Sequence, residues 1–285
     1  MTLLYAGLSL GAVYALVAIG YNIVFVASHS FNFAQAQLMM VGAFVAYTGY
    51  VTLELPTVVV IAMAMAVVLL VAVVLERVAV RPVADHQTQL ITTLGFGIVL
   101  TGLTQIIWGT QPQRVPFFAG SDPVSFLGGR AFPAEFGLVA LAVAMVAGIS
   151  IYMKRRMSGL ALVAMSEDDE AATLRGVNVR RLTFLAFAAT GLLAGLMGVF
   201  IGPKTYAVAT LGLSLALKGF VALAIGGFGS MWGGLIGGLS IGLVEAFSIR
   251  YLGSEFGNVS VFVVLLLVLM IRPTGLFGRL RERTV

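Results

Sequence analysis

Nine apolar stretches follow one another along this chain, at residues 3–26, 33–53, 56–75, 90–108, 135–153, 182–201, 212–228, 232–249 and 259–271. Most approach the roughly 20 residues that a helix needs to cross a bilayer. Inside lipid every backbone N–H and C=O must be paired within the structure, which leaves helices as the simplest way to span. The expected fold class is therefore all-α, a polytopic integral membrane protein forming one transmembrane domain over residues 1–285. The first two stretches are separated by a few residues around His29. The seventh and eighth are separated by little more than Gly229, Ser230 and Met231. Either pair has room for a half-helix, so the expectation is about eight to ten transmembrane or re-entrant helices.

Composition agrees. Sixty per cent of residues are hydrophobic and 10% are charged, against about 25% charged in soluble domains. Too few polar residues remain to cover a soluble core of this size. The first stretch begins at Leu3 with no basic region before it, and it runs past the 7–15 residues of a signal-peptide core. It is read as the first span.

Several kinds of chemistry are excluded. The chain has no cysteine and two histidines, His29 and His86, so a thiolate nucleophile, a disulfide and a histidine-rich metal site are all excluded or unsupported. No nucleophile, base and orienting group stand together, so no catalytic residue is assigned. No Gly-x-x-x-x-Gly-Lys-Ser/Thr phosphate loop occurs, so the chain carries no ATPase of its own. The net charge of +5 carries orientation information. No basic stripe interleaved with aromatic residues points to nucleic acid.

Lys and Arg accumulate on the side of the membrane that stays in the cytosol. With the N-terminus outside, one side collects Arg77, Arg81, Lys154, Arg155, Arg156, Arg175, Arg180, Arg181, Arg272, Arg279, Arg281 and Arg283. The other collects Arg114, Arg130, Lys204 and Arg250. The ratio of about three to one predicts a cytosolic C-terminus and an external loop at 109–134.

The longest polar interruption runs over 154–181, between two apolar stretches. Its centre, Glu167, Asp168, Asp169, Glu170, Ala171 and Ala172 on to Leu174, has high helix propensity, and Gly176 is a natural stop. The four acidic residues favour the positive end of the helix dipole. A membrane protein that presents a short helix to the cytosol offers a partner something to grip.

Polar side chains within spans are costly and mark candidate pathway residues. Asn22, Asn32, Gln35 and Gln37 gather around the first turn. Thr92 and Thr93 lie near the start of the fourth stretch, and Lys218 and Glu245 are charged and within or near apolar segments. For the amides, hydrogen bonding between helices serves equally well. Lys218 and Glu245 also suit a structural pair across adjacent helices. Glycines recur at small-xxx-small spacing, as in Gly191/Gly195, Gly233/Gly237 and Gly238/Gly242, which suits close helix packing. The adjacent Gly226 and Gly227 can break a helix and open its backbone to a pathway.

Four blocks carry a family resemblance. They are GAVYALVAIGYNIVF (11–25) with FNFAQAQLMMVGAF (31–44), RPVADHQTQLITTLGFGIVL (81–100), the polar block 159–176, and LKGFVALAIGGFGSMWGGLIGG (217–238) followed by Glu245. In this order they resemble the permease subunits of branched-chain amino acid ABC importers of the LivH type. The chain departs at Ala34–Gln35–Ala36, where the family often has Ala-His-Gly. The resemblance implies a coupling region that seats in an ATPase cleft, formed here by Gly159, Glu167, Asp168, Asp169, Glu170, Ala171, Ala172 and Gly176. It also implies a second, LivM-like permease, two ATP-binding subunits, an extracytoplasmic solute-binding protein and a prokaryotic inner membrane. ATP and magnesium would bind those partners, and no cofactor would bind this chain. A secondary carrier or channel is the alternative reading, and it requires a charged relay for coupling ions.

Overall fold

The computed structural model describes residues 1–83, 85–120, 122–126 and 128–278. Arg279, Arg281 and Arg283, counted above for orientation, lie outside them. Six helices are long and apolar enough to cross a bilayer. They are α1 (Thr2–Ser28), α3 (Thr57–Leu75), α4 (His86–Trp108), α5 (Pro133–Arg155), α8 (Val179–Thr205) and α10 (Met231–Tyr251). At 1.5 Å per residue the shortest of them, α3 with 19 residues, covers about 28 Å. Four further apolar helices among the described residues are shorter: α2 (Gln35–Tyr47), α6 (Met157–Glu167), α9 (Leu211–Gly226) and α11 (Phe256–Ile271). The expected mixture of spanning and shorter helices is what the chain forms. Two helices continue as wider π-helical turns, α2 through Thr48–Thr52 and α3 through Glu76–Val80.

The hub is α1. Its apolar stretch is 89% buried, against 22% for α4. It packs on α10, α9, α5 and α8, while α2 is enclosed by α8, α3 and α9. Glycines make the closest crossing possible: a Cβ on Gly242 of α10 would lie 2.1 Å from the Gly11 nitrogen of α1. Backbones that touch this way gain dispersion contacts that lipid cannot match. The Gly191/Gly195 pair likewise faces α3, and Gly233/Gly237 faces α9. α3, α4, α5 and α11 turn broad apolar faces outward, including Val58, Ile106, Val143 and Leu266.

The helices alternate in direction, so the molecule has two ends. One holds the α1–α2 corner, the α9–α10 turn, residues 272–278 and the helices α6 (Met157–Glu167) and α7 (Asp169–Leu174). The other holds Met1, the 109–132 segment and the α8–α9 connection. In that segment β1 (Val124–Phe126) pairs antiparallel with β2 (Gly129–Ala131). Arg130 N–H donates to Thr2 Oγ1 at 3.1 Å, tying the hairpin to the start of α1.

The polar segment corrects the expectation of one helix over 167–174. It forms two, broken at Asp168 (φ −158°). Glu167 closes α6, while the Asp168 carboxylate caps α7 by accepting from the N–H groups of Glu170 and Ala171, both at 3.0 Å. An aspartate in extended backbone satisfies orphan donors of the next helix and so favours starting a new one over continuing the old.

Candidate functional site

The α6–α7 segment folds back under the bundle. Gly159 makes the return possible, because a Cβ there would lie 2.3 Å from the Tyr152 carbonyl oxygen of α5. α6 buries Gly159, Leu162 and Met165 and shows Met157, Leu160 and Val163 to the outside. α7 buries Ala172, while Ala171 is exposed and Leu174 is 89% exposed. Gly176 ends α7 as read from the sequence. Its φ is +85°, its N–H donates to Thr173 O at 2.9 Å, and Val177 N–H donates to Ala172 O at 3.1 Å. That 6→1 and 5→2 pattern needs the left-handed residue that glycine supplies without strain. Glu167, Asp168 and Glu170 are exposed, and Asp169 is half-buried. The result is a surface with an apolar face and an acidic margin, unlike the aliphatic sides of α3 and α4.

The candidate pathway residues fall into three groups. The first surrounds the α1–α2 corner. Asn32 Oδ1 accepts from Ala34 N–H at 3.1 Å and its Nδ2 approaches Gln35 Oε1 at 3.5 Å. Gln35 Nε2 reaches Thr190 O of α8 at 3.5 Å. Thr93 Oγ1 accepts from Phe33 N–H at 3.3 Å, and Thr92 donates to Ala79 O at 2.5 Å, within the α3–α4 pair. Gln37 packs between Gly97 of α4 and Gly212 of α9. It is buried, and its Oε1 has no partner among the described residues. Glu76, in the π-helical end of α3, is buried as well, with Oε2 also unpartnered.

The second group holds the α9–α10 turn. Asn22 of α1 donates to Ser230 O at 2.9 Å and accepts from Gly229 N–H at 2.8 Å. Gly226 and Gly227 do end α9, but the freed carbonyls are occupied. Leu276 N–H donates to Ile225 O at 2.8 Å and Phe277 N–H to Gly226 O at 3.1 Å. Gly227, at φ +99°, lies so close to the C-terminal segment that a Cβ would sit 2.4 Å from Gly278 N.

The third group is charged. Lys218 Nζ donates to Glu245 Oε1 at 2.5 Å and Tyr14 O–H donates to Glu245 Oε2 at 2.7 Å. This is the pairing that the sequence suggested, with Tyr14 as a third member. At the opposite end Lys204 donates to Glu135, whose Oε2 accepts from Phe132 N–H at 3.2 Å at the start of α5. This second pair went unread in the sequence. Both its residues sit near span ends, where charges are common, and only the fold brings α5 and α8 together. Beside it lies a cavity of about 310 Å³ lined in part by Arg114, Phe117, Glu135, Lys204 and Tyr206. No group of three or more His, Cys, Asp or Glu able to hold a metal exists among the described residues.

The family model described as the permease component of the branched-chain amino acid transport system matches residues 3–272. The chain is 31% identical to the high-affinity branched-chain amino acid transport system permease protein LivH of Salmonella typhimurium. That match covers 97% of this chain and 94% of the relative. It is 30% identical to the corresponding protein BraD of Pseudomonas aeruginosa, over 96% and 94%. A solved structure, PsaBC from Streptococcus pneumoniae in complex with Fab, superposes with a TM-score of 0.55 at 14% identity, over 96% of this chain and 93% of that one. At that identity the likeness concerns the fold alone.

Proposed function

Because the chain belongs to the permease-component family of branched-chain amino acid transport systems, we propose that it is the membrane-spanning subunit of an ATP-driven importer. Its cargo is a branched-chain amino acid or a related small amino acid, carboxylate or amide solute. It works with a second, similar permease, two ATP-binding subunits and an extracytoplasmic binding protein. ATP and magnesium bind those ATPases and this chain binds no cofactor. The N-terminus faces outside and the C-terminus the cytosol.

One observation carries the reading: the basic end of the bundle presents α6 and α7 with Met157, Leu160, Val163 and Leu174 exposed. An apolar face of this kind rimmed by acidic side chains marks a protein contact. Orientation has the same support, since Arg77, Arg81, Lys154, Arg155, Arg156, Arg175, Arg180, Arg181 and Arg272 share that end. Of the pathway candidates, Gln37 is favoured, as a buried amide oxygen left without a protein partner suits a polar group in transit. Asn32, Gln35, Thr92 and Thr93 line the same corner. Asn22, Lys218, Gly226 and Gly227 are engaged in holding helices together.

A secondary carrier would need a charged group free to take up a coupling ion. The members of the Tyr14–Lys218–Glu245 cluster already satisfy each other, which leaves Glu76, buried with Oε2 unpartnered among the described residues, as the group such a carrier would use. The test is uptake of radiolabelled leucine, isoleucine and valine into proteoliposomes. The complete complex with loaded binding protein should take them up only with internal ATP. Uptake by this chain alone on an ion gradient would favour the carrier.

A further inference from the structure

We propose that His29 is a positioning residue that transmits movement of the α6–α7 segment to the α1–α2 corner. The inference rests on the reading of α6–α7 as the ATPase contact.

His29 closes α1 in a left-handed conformation, φ 50° and ψ 14°, with its N–H donating to Phe25 O at 2.8 Å. A residue with a Cβ is uncommon there, and glycine or asparagine fits at lower cost. The imidazole supplies what those residues would not, because both of its nitrogens face the α6–α7 turn. Nε2 is 2.9 Å from Ser166 O. A carbonyl only accepts, so Nε2 carries the proton in that bond. Ser166 lies in the last turn of α6, where carbonyls lack partners within the helix, so His29 caps α6 from another element. Nδ1 lies 4.0 Å from Asp169 Oδ2, in the first turn of α7. One side chain therefore touches both helices of the docking segment at their break.

On its other side His29 joins a run of packed aromatic rings. It meets Phe25 edge-on at 5.9 Å, and Phe25 stacks on Phe31 at 5.0 Å and 11°. Phe31 meets Phe220 of α9 edge-on at 5.6 Å and Phe228 of the α9–α10 turn at 5.4 Å. Rings at these spacings prefer a few discrete geometries and transmit displacement as rearrangement. Phe31 immediately precedes Asn32 and lies four residues before Gln35, so a shift of this ring moves the polar corner. A second tie reinforces the link: Thr183 Oγ1, at the start of α8, donates to Ala27 O at 3.2 Å. Both sides of the cytosol-facing segment are thus fastened to residues 27–29.

The test uses the assembled importer in proteoliposomes and reads two quantities: ATP hydrolysed, and leucine taken up per ATP. His29→Gly removes the ring and relieves the left-handed backbone. His29→Gln restores an N–H donor near the position of Nε2. With His29→Gly the ATPases should still co-purify and hydrolyse ATP, while leucine per ATP falls about tenfold, within the roughly 5–150-fold span of typical coupling energies. His29→Gln should recover most of that loss. An unchanged ratio in His29→Gly would overturn the proposal, as would loss of the assembled complex, which would assign His29 to packing. Wild-type complex that takes up neither a branched-chain amino acid nor any related small amino acid, carboxylate or amide with ATP would overturn the importer reading itself, a result visible before any variant is made.

Discussion

Lys218 of α9 donates to Glu245 of α10 at 2.5 Å, with both side chains nearly shielded from solvent at 12% and 7% exposure. Two charges desolvated together are tolerable; one left alone is not. Removing one partner of a buried pair typically costs about 3–5 kcal/mol, whereas replacing both with apolar residues of similar size is often neutral. Lys218→Met and Glu245→Leu should each destabilise the detergent-purified protein by roughly that amount in denaturant titrations. The double variant combined with Tyr14→Phe, which removes the hydroxyl that otherwise donates to Glu245, should recover most of it. Additive losses would show that the two residues do not act as a unit.

Asn22 makes a second expectation concrete. Its amide satisfies Gly229 N–H and Ser230 O together, which fixes the turn after Gly227. Asn22→Leu leaves the Gly229 N–H unpaired, at about 1–3 kcal/mol, while Ser230 O keeps the Gly234 N–H at 3.0 Å. The unfolding midpoint should fall, and protease should cut at 227–230. Asn22→Asp keeps the acceptor and should fall between. A midpoint unchanged in Asn22→Leu would show that the turn holds without the clamp.

Orientation is open to a chemical test, made simple by the lack of native cysteine. Thr110→Cys, beyond the end of α4, should react with an impermeant reagent in intact cells. Thr173→Cys, exposed on α7, should react only after lysis. Labelling of both from one side would contradict the charge-bias assignment.

Much of the fold was legible because spanning a bilayer leaves so few solutions. The apolar stretches at 3–26, 135–153 and 182–201 lie wholly inside α1, α5 and α8. The break inside 154–181 was less so, although its signal is present. Asp168 precedes an acidic first turn, which is how a helix begins. The stretch before it, Met157–Glu167, lies within the polar interruption and is too short to span, so it gives no spanning signal. Partnership between distant residues was only partly legible. Lys218 and Glu245 stood out because charge inside a span is rare, but Tyr14, the Glu135–Lys204 pair and the role of His29 arise from tertiary contacts that no local pattern encodes. The burial of Ala172 belongs to the same class. A bulky residue there would collide with this chain before any partner, so an exposed neighbour is the better probe.

Leu174 is that neighbour, 89% exposed on α7. Replacing it with glutamate disturbs little within the chain, because the side chain has almost no internal contact. At a docked apolar interface the same change buries an unpaired charge, an effect of about 2 kcal/mol or more at a well-packed position. The decisive measurement is co-purification of the ATPase subunits with Leu174→Glu, read beside ATP-driven leucine uptake. The account predicts that both fall at least about tenfold while membrane insertion stays at the wild-type level. Normal co-purification with normal uptake would contradict the claim that this permease is driven through α6 and α7.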